Sequence, residues 1–198
     1  MPKETAPKTR AKKTKDEILA AAVRTLCREP AAGVTVEEVA REAGSAKGLV
    51  HYHFKTKDRL FAAAASRIWS DRADNWHEAL AATDPKLAID TSWQLLANES
   101  NTGVATASAS LAVERGEMTV QAVKEASAAF ARCLADSIEG LLSRIGLTAA
   151  VPPGELGALL AAVVAGFGHQ LDSGMPSTDL EAWYAAFWAG LLSLGSPA

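Results

Sequence analysis

The segment Val34–Leu60, VTVEEVAREAGSAKGLVHYHFKTKDRL, decides the fold of this chain. It opens with Thr35 and, three residues later, Glu38, a pair that forms the capping box typical of a helix start. Gly44 stands where that helix must end, because glycine adopts the left-handed conformation of a helix C-terminus without a steric penalty. A second helix follows over about residues 46–54. The segment therefore predicts two short helices that are joined by a tight turn.

The second of these helices carries an unusual set of surface side chains. Cationic, imidazole and phenol groups follow one another along it: Lys47, His51, Tyr52, His53, and then Lys55 and Lys57. Such groups donate hydrogen bonds to an anionic surface, and the N–H groups of a helix N-terminus suit a phosphate. Gly48 in the first turn weakens the helix by about 1 kcal/mol relative to alanine. We interpret this glycine as a point of close approach to a partner, the alternative being a tolerated defect near a helix start.

Charge is distributed unevenly along the chain. The net charge is −3, yet residues 1–60 carry 13 Lys and Arg against 8 Asp and Glu, and the remaining residues carry 7 against 15. A basic N-terminal part therefore precedes an acidic one, which predicts that only the former meets a polyanion such as DNA. Part of the basic excess lies in residues 1–13, whose lysine, threonine and proline content predicts a disordered tail. Charge alone therefore leaves nucleic-acid binding open.

Helical patterns continue almost to the end of the chain, and no alternating strand pattern interrupts them. The first helix is expected over about residues 15–27. Two helices near the C-terminus, residues 154–171 and 178–194, are apolar on more than one face, and Thr178 with Glu181 forms a second capping box. So much apolar surface needs more cover than the core of one protomer provides, which predicts a four-helix interface between two copies. A fully internal helix pair is the alternative.

The segment resembles the DNA-binding domain of the TetR family of bacterial transcription regulators. The motif of that family appears as Ala43-Gly44, Lys47-Gly48, Val50, Tyr52-His53-Phe54 and Lys55-Thr56-Lys57-Asp58-Arg59-Leu60, with Ile18-Leu19, Ala21-Ala22 and Thr35–Ala40 at family spacing upstream. The resemblance covers about a quarter of the chain. It implies an all-α fold of about nine helices. A three-helix helix-turn-helix domain over residues 14–60 would precede a ligand-binding and dimerisation domain over residues 61–198.

Three residues of the recognition helix depart from the family pattern, which more often has Ser or Thr at Ala46, Thr or Ala at Leu49, and Tyr at His51. We expect Leu49 to contact a thymine methyl group and His51 to donate a hydrogen bond to a phosphate or a base edge. The resemblance implies that four other side chains mainly contact the DNA backbone, namely Lys47, Tyr52, His53 and Lys57, and Thr35 is a further candidate for a phosphate contact. The full set of predicted DNA-binding residues is Thr35, Ser45, Ala46, Lys47, Gly48, Leu49, His51, Tyr52, His53 and Lys57.

The C-terminal domain is expected to sense a small molecule. The resemblance implies that ligand bound between helices 4 to 8 shifts helix 4 and spreads the recognition helices of a dimer. Candidate ligand-binding residues, chosen by position and bulk, are Trp69, Trp76, Trp93, Leu96, Phe130 and Phe167. For each of them, ordinary core packing is the alternative. Glu99 or Glu114 is a candidate polar anchor or a solvated charge, and the tryptophans and small residues favour an apolar or aromatic ligand.

These features together predict a homodimeric transcription regulator, a repressor that a small effector releases from palindromic operator DNA. An activator, and a DNA-binding protein without a small-molecule ligand, remain alternatives. The sequence contains no Ser-His-Asp, Cys-His, paired-carboxylate or phosphate-loop motif, so an enzyme is not expected, and no cofactor is expected. His51 and His53 are two residues apart on a helix and point to different sides, so no metal site is expected.

The sequence also predicts a cytoplasmic, nucleoid-associated protein that has no membrane partner. Cys27 and Cys133 have no C-x-x-C partner, which is typical of reduced cysteines. The N-terminus has no hydrophobic signal region, and no apolar run is expected to reach the length of about 20 residues that a membrane span needs.

Overall fold

The computed structural model describes residues 7–193 and 195–197. Within them lie nine α-helices: α1 (Pro7–Leu26), α2 (Val36–Glu42), α3 (Lys47–Phe54), α4 (Lys57–Leu80), α5 (Pro85–Asn101), α6 (Val104–Ala112), α7 (Glu117–Arg144), α8 (Pro153–Asp172) and α9 (Ser177–Ser193). Two short strands, β1 (Leu147–Thr148) and β2 (Ser196–Pro197), pair in antiparallel register. The predicted all-α fold is thereby confirmed. The strand pair was not predicted, because two residues are too few to show an alternating pattern.

The described residues form two compact units. The first contains the described residues up to Ile68 together with Ala107–Val123, and the second contains Trp69–Thr106 and the described residues from Lys124 onward. This division differs from the predicted boundary at residue 60, because residues 107–123 group with the N-terminal helices. Hydrogen bonds between α4 and the start of α7, described below, account for that grouping.

Helix α1 supplies much of the core of the first unit. Its inaccessible residues match the apolar stripe of the sequence: Ile18, Ala21, Ala22 and Leu26. The helix begins at Pro7, earlier than the predicted start, so residues 7–13 of the predicted disordered tail are helical. Residues 1–6 of that tail lie outside the described ranges. Lysine, arginine and alanine have high helix propensities and proline suits the first helical position, which explains the early start.

In the second unit, α5 packs against α8 and α9 around a cluster of aromatic rings. The ring centroid of Trp93 lies 6.4 Å from that of Phe167 and 5.5 Å from that of Tyr184. The Tyr184 hydroxyl shares a hydrogen bond of 2.8 Å with the hydroxyl of Ser92. Burial raises the pKa of Tyr184 above its ordinary value. A polar contact inside an apolar layer thus joins α9 to α5.

A buried ion pair joins α4 to α5 in the same unit. Arg72 donates from Nε and Nη2 to the two carboxylate oxygens of Glu99, at 2.9 and 2.8 Å. Glu99 also accepts a hydrogen bond of 3.0 Å from the indole N–H of Trp76. The Arg72 guanidinium lies 4.8 Å from the ring centroid of Phe130 and 6.0 Å from that of Trp69. This two-pronged geometry compensates charges that would otherwise be costly to bury.

The C-terminal helices differ in detail from the prediction. Thr178 lies inside the first turn of α9, because the carbonyl of Pro176 already accepts hydrogen bonds from the N–H groups of Asp179 and Leu180, at 3.2 and 3.3 Å. The predicted capping box of Thr178 and Glu181 is therefore wrong, since the helix begins at Ser177.

Helix α8 extends one residue beyond the predicted range of 154–171 at each end. Its 20 residues, with a mean hydropathy of 1.2 over the most apolar window, are enough by length and composition to cross a membrane, a weak test that core helices also pass. It is the one helix of this kind among the described residues. Only 28% of that window is buried within the protomer. Much of its apolar surface is therefore left uncovered by the rest of the protomer.

We expect loss of one member of the ion pair to cost far more than replacement of both. Glu99→Ala should lower the free energy of unfolding by about 3–5 kcal/mol, because it leaves the Arg72 guanidinium buried without its counter-ion. The double variant Arg72→Met/Glu99→Leu should recover most of that loss, since apolar side chains need no counter-charge. Urea unfolding followed by circular dichroism measures both. A double variant as unstable as the single one would contradict charge compensation as the role of the pair.

Candidate nucleic-acid interface

The turn between α2 and α3 has the backbone geometry that the sequence predicts. Gly44 has a φ of 58°, in the left-handed region. The N–H of Ser45 donates to the carbonyl of Ala40 at 2.9 Å, and the N–H of Gly44 donates to that of Arg41 at 3.1 Å. This pair of bonds is the Schellman arrangement, which satisfies the last carbonyls of α2. The turn therefore ends one helix and leads directly into the next.

Helix α2 begins with the predicted capping box. The N–H of Thr35 donates to Glu38 Oε2 at 2.8 Å, and the N–H of Glu38 donates to Thr35 Oγ1 at 3.2 Å. The Thr35 hydroxyl donates to the same carboxylate at 2.8 Å. The hydrogen bonds from Thr35 hold the pKa of Glu38 below its ordinary value. The hydroxyl of Thr35 is thus engaged in the cap, and its contact with a phosphate stays a prediction.

Helix α3 is amphipathic over two turns. Val50 and Phe54, one turn apart, are 2% and 4% exposed, and α3 packs on α1 and α2. The rest of the helix surface is open to solvent and carries Lys47, Gly48, Leu49, His51 and Tyr52. Leu49 and Tyr52 retain 43% and 66% of their accessible surface, which is high for large side chains with apolar bodies. The first unit therefore leaves this face available to a partner.

The N-terminus of α3 is open as well. Its N-cap residue is Ala46, which has no side-chain oxygen and makes no capping hydrogen bond. The first N–H groups of an α-helix have no partner within the helix. A Cβ added at Gly48 would meet no atom within 4 Å, so the packing of the protomer does not require glycine there. The N-terminus thus presents N–H groups, and a bare backbone, to an approaching anion.

The connection from α3 to α4 contains a strained residue. Lys55 has a φ of 66° and a ψ of −50°, and it is the one non-glycine residue with positive φ among the described residues. The N–H of Thr56 donates to the carbonyl of Phe54 at 2.8 Å and closes a γ-turn around Lys55. Such a conformation costs about 1–3 kcal/mol and persists only where the surrounding structure imposes it.

Lys47 on α3 is paired with Glu37 on α2. The Lys47 ammonium donates a hydrogen bond to the Glu37 carboxylate, and this bond holds the pKa of Glu37 below its ordinary value. The two side chains retain 51% and 57% of their accessible surface. Glu37 therefore competes with any incoming phosphate for the Lys47 ammonium.

Comparison with known proteins connects this geometry to a family. Residues 18–64, which include α2, the turn and α3, match the family described as "Bacterial regulatory proteins, tetR family". Solved structures match the fold of nearly the whole chain. A TetR-family transcriptional regulator from Mesorhizobium loti superposes with a TM-score of 0.77 at 18% identity, covering 98% of this chain and 100% of that one. Residues 18–64 therefore form a TetR-type domain, and nearly the whole chain has the fold of these TetR-family structures.

Two further structures have the same fold. The reduced form of NemR from E. coli matches with a TM-score of 0.74 at 18% identity, covering 93% of this chain and 98% of that one. NalD from Pseudomonas aeruginosa, described as the secondary repressor of the MexAB-OprM multidrug efflux pump, matches with a TM-score of 0.62 at 22% identity, covering 92% and 98%. The matched N-terminal domain is one that bacterial regulatory proteins of the tetR family carry, and these solved structures show that the rest of the chain shares their fold.

Three of the residues predicted to bind DNA are less exposed to solvent than the others. The hydroxyl oxygen of Ser45 is buried and has no hydrogen-bond partner within the described part of the chain. The Lys57 ammonium lies 3.4 Å from the carbonyl oxygen of Ala31 and 4.7 Å from the ring centroid of Phe61. His53 is half-buried. The structure therefore brings the α3 face together as predicted and places these three side chains beside it, where their contact with DNA stays a prediction.

The predicted ligand-binding residues fall into two groups in the second unit. Trp69, Trp76 and Phe130 surround the ion pair of Arg72 and Glu99. The other three line the contact of α5 with α8 and α9: Trp93, Leu96 and Phe167. All of them are buried except Phe167, which is half-buried, so each contributes to core packing. Of the two predicted polar anchors, Glu99 is buried in the first group and Glu114 belongs to the first unit.

Among the cavities of the described residues, two lie away from these side chains. A groove of about 370 Å³ in the first unit is lined by Thr25, Arg28, Glu29, Glu38, Arg41 and Glu42. An apolar pocket of about 30 Å³ in the second unit, lined by Leu142, Ala149, Ala150, Val151, Leu156, Leu191 and Gly195, has room for one water-sized molecule. Across the described ranges, no group of three or more His, Cys, Asp or Glu side chains is arranged to hold a metal ion.

One contact beside the interface, between Asp58 and the start of α7, has no signal in the sequence. The carboxylate of Asp58, near the start of α4, accepts hydrogen bonds from the N–H groups of Met118 and Thr119 in the first turn of α7, at 3.0 and 2.9 Å. Asp58 belongs to the family motif, but its partners lie 60 residues away or more. No local pattern reveals such a pairing.

Releasing Lys47 from Glu37 should strengthen DNA binding. We expect Glu37→Gln to raise the affinity for duplex DNA about threefold at low salt, because a surface ion pair of this kind is weak and a phosphate then replaces it. Glu42→Gln is the matched control, since it removes the same charge from the same helix but releases Arg24 and Arg28 rather than Lys47. Fluorescence anisotropy measures both variants. Equal gains from the two would show that net charge alone is responsible.

Proposed function

We propose that this TetR-family regulator binds a near-palindromic operator as a homodimer and leaves it when a small effector binds. The observation that carries the proposal is the open face of α3, where an uncapped helix N-terminus, Gly48 and exposed donor side chains lie together. A helix of this kind fits the major groove of B-DNA, which is about 12 Å wide. DNA is the polyanion that this arrangement suits best. Such a regulator works in the cytoplasm, at the nucleoid.

Different side chains of this face suit base edges and phosphates. Leu49 is suited to the methyl group of thymine. His51 Nδ1 lies 3.3 Å from the carbonyl oxygen of Lys55, and since a carbonyl only accepts, Nδ1 donates there. The Nε2 atom of neutral His51 is then an acceptor, which suits the amino group of adenine or cytosine. Lys47 and Tyr52 are suited to the phosphate backbone, which supports affinity without selecting sequence.

A second copy of the chain is proposed to cover the exposed apolar faces of α8 and α9. Leu159 on α8 and Trp183 on α9 retain 49% and 55% of their accessible surface. Gly166 and Gly190 lie inside these helices, and a Cβ added at either would meet no atom within 4 Å. Glycine inside a helix costs about 1 kcal/mol relative to alanine, which the close approach of a partner helix would offset. This pairing also explains the uncovered surface of α8, and it gives the regulator two recognition helices.

The effector is proposed to be small and apolar or aromatic, because aromatic rings dominate both groups of candidate residues. The effector is expected to prefer a conformation that binds the operator poorly. It then weakens operator binding by the same factor by which DNA weakens effector binding. The candidate residues pack against one another, so the effector must separate them to enter. Repression is the direction that we propose. The function given for NalD supports it, and activation would be seen as a gain of transcription in a reporter assay.

Selection of duplexes from a random pool tests the DNA-binding function. The purified chain should recover two inverted half-sites, whose centres lie about 34–36 Å apart or at an adjusted multiple of that spacing. Gly48→Ala should keep or raise the Tm, because alanine favours the helix, and should bind the selected duplex at least tenfold more weakly, because its methyl group prevents close approach.

Gly154→Ala is the matched control for this variant. Gly154 also follows the first residue of a helix, and a Cβ added there meets no atom within 4 Å, but it lies on α8. Its affinity for the selected duplex should equal that of the unaltered chain. Recovery of no motif at low salt, or equal affinities for the two glycine variants, would contradict the proposed use of α3.

Disruption of the proposed α8–α9 interface should produce monomers. Trp183→Glu should halve the mass in light scattering and reduce operator affinity at least a hundredfold, because a charge is buried at the interface and only one half-site is then held. Leu87→Glu is the control, since Leu87 on α5 is equally exposed, at 55%. A Trp183→Glu protein that remains dimeric would place the interface elsewhere.

A further inference from the structure

We propose that Asp58 is a positioning residue for operator binding. It ties the first turn of α4 to the N-terminus of α7, and it thereby sets where α3 lies. The proposal rests on the proposed DNA-binding function of α3, although Asp58 itself has no place on the open face of that helix.

Asp58 acts as the N-cap of a helix to which it does not belong. Its Oδ2 accepts from the N–H of Met118 at 3.0 Å, and its Oδ1 accepts from the N–H of Thr119 at 2.9 Å and from the Thr119 hydroxyl at 2.7 Å. These are the second and third N–H groups of α7, which a capping side chain normally satisfies from the preceding residue. The carboxylate also lies at the positive end of the α7 dipole. Thr119 is 1% exposed and Asp58 is half-buried, so the Thr119 side of the contact is shielded from solvent.

The residue before α7 is a glycine, and its missing side chain leaves room for the Asp58 carboxylate. Gly116 occupies the N-cap position, since its carbonyl accepts a hydrogen bond of 2.8 Å from the N–H of Val120. A Cβ added at Gly116 would lie 2.1 Å from Asp58 Oδ1, far inside contact distance. The chain therefore has no capping side chain of its own at this position, and any such side chain would displace the carboxylate. The two residues are complementary as a pair.

The chemistry of the carboxylate agrees with this geometry. Partial burial acts to raise the pKa of Asp58, but the hydrogen bonds from Thr119 and Met118 outweigh it and hold the pKa below its ordinary value. The contact is therefore made by an ionised group at neutral pH. Hydrogen bonds to a charged acceptor are roughly twice as strong as neutral ones.

The position of Asp58 in the chain connects this contact to the recognition helix. It is the second residue of α4, and only Lys55 and Thr56 separate α4 from α3. Lys55 holds a strained backbone conformation, so the corner between the two helices persists only while both are held in place. Val50 and Phe54 hold α3, and Asp58 holds the start of α4. Loss of the Asp58 contact is expected to relax the backbone at Lys55, so that α3 adopts a wider range of orientations.

The sign of the effect separates positioning from electrostatics. Asp58 is a negative charge in the DNA-binding unit, so its removal by a purely electrostatic effect should strengthen binding to a polyanion. Positioning predicts the opposite. We expect Asp58→Asn to bind the selected duplex about tenfold more weakly, with an unchanged dependence on salt because no phosphate contact is lost. Asp58→Glu should restore much of the affinity, because it keeps the charged acceptor.

Asp84→Asn is the matched control. Asp84 is the N-cap of its own helix, α5, where it accepts a hydrogen bond of 2.9 Å from the N–H of Lys86. This variant should lose stability and keep its affinity for the selected duplex. An Asp58→Asn protein that is folded and binds as tightly as the unaltered chain would overturn the proposal, as would an equal loss of affinity in the two variants.

A double-mutant cycle tests the pairing of Asp58 with Gly116 even where Asp58→Asn folds poorly. Gly116→Ala should weaken duplex binding about as much as Asp58→Asn, because the added methyl group expels the carboxylate. In an Asp58→Ala background the same glycine change should cost little further, because the carboxylate is already gone. Strictly additive losses in affinity would overturn the pairing.

Hydrogen exchange on the protein without DNA distinguishes failure of this inference from failure of the proposed function. Asp58→Asn should speed amide exchange in residues 116–120 and also in α3, and leave α8 and α9 unchanged. Faster exchange in residues 116–120 alone would overturn the positioning role. If the unaltered chain selects no duplex, the proposed function fails, whereas the link between α7 and α3 is still decided by the exchange rates.

Discussion

Val50 and Phe54 lie one helical turn apart on α3 and are almost fully buried. The DNA-binding role proposed for that helix depends on this spacing. Eight residues are too few for a stable isolated helix in water, since such helices need about 12–15 residues even with favourable sequences. Packing of two side chains on one side therefore both forms the helix and sets its rotation. The Schellman turn before it and the γ-turn after it fix its ends. The face that carries Gly48 and His51 points outward as a result.

Much of the fold could be predicted from the sequence because its signals are local. The capping box of Thr35 and Glu38 spans four residues, and the αL position of Gly44 depends on its immediate neighbours. Asp84 with Pro85 opens α5 through a signal that is equally local. The buried stripe of α1 follows from helical periodicity. These features depend on residues within two turns of one another, which a single sequence displays.

The rest could not be predicted, since it depends on residues that meet only after folding. The Asp58 cap on α7 and the Arg72–Glu99 pair join residues that are 27 to 61 positions apart. The position and bulk of Trp76 and Trp93 left ligand binding and core packing both open, and nothing local indicated that the two rings belong to different clusters. The motif placed Ser45 among the DNA-binding residues, whereas the burial of its hydroxyl is decided by tertiary packing. The positive φ of Lys55 gives no signal in the sequence, because no glycine marks it.

The γ-turn at Lys55 also fixes the number of residues that can separate α3 from α4. The spacer of two residues is not helical, and its γ-turn sets both the direction in which α4 leaves α3 and the face that α4 carries towards α7. Inserting or deleting one residue between Phe54 and Lys57 would remove this turn and carry the Asp58 carboxylate away from the first turn of α7. Relatives built on this plan should therefore keep a spacer of two residues.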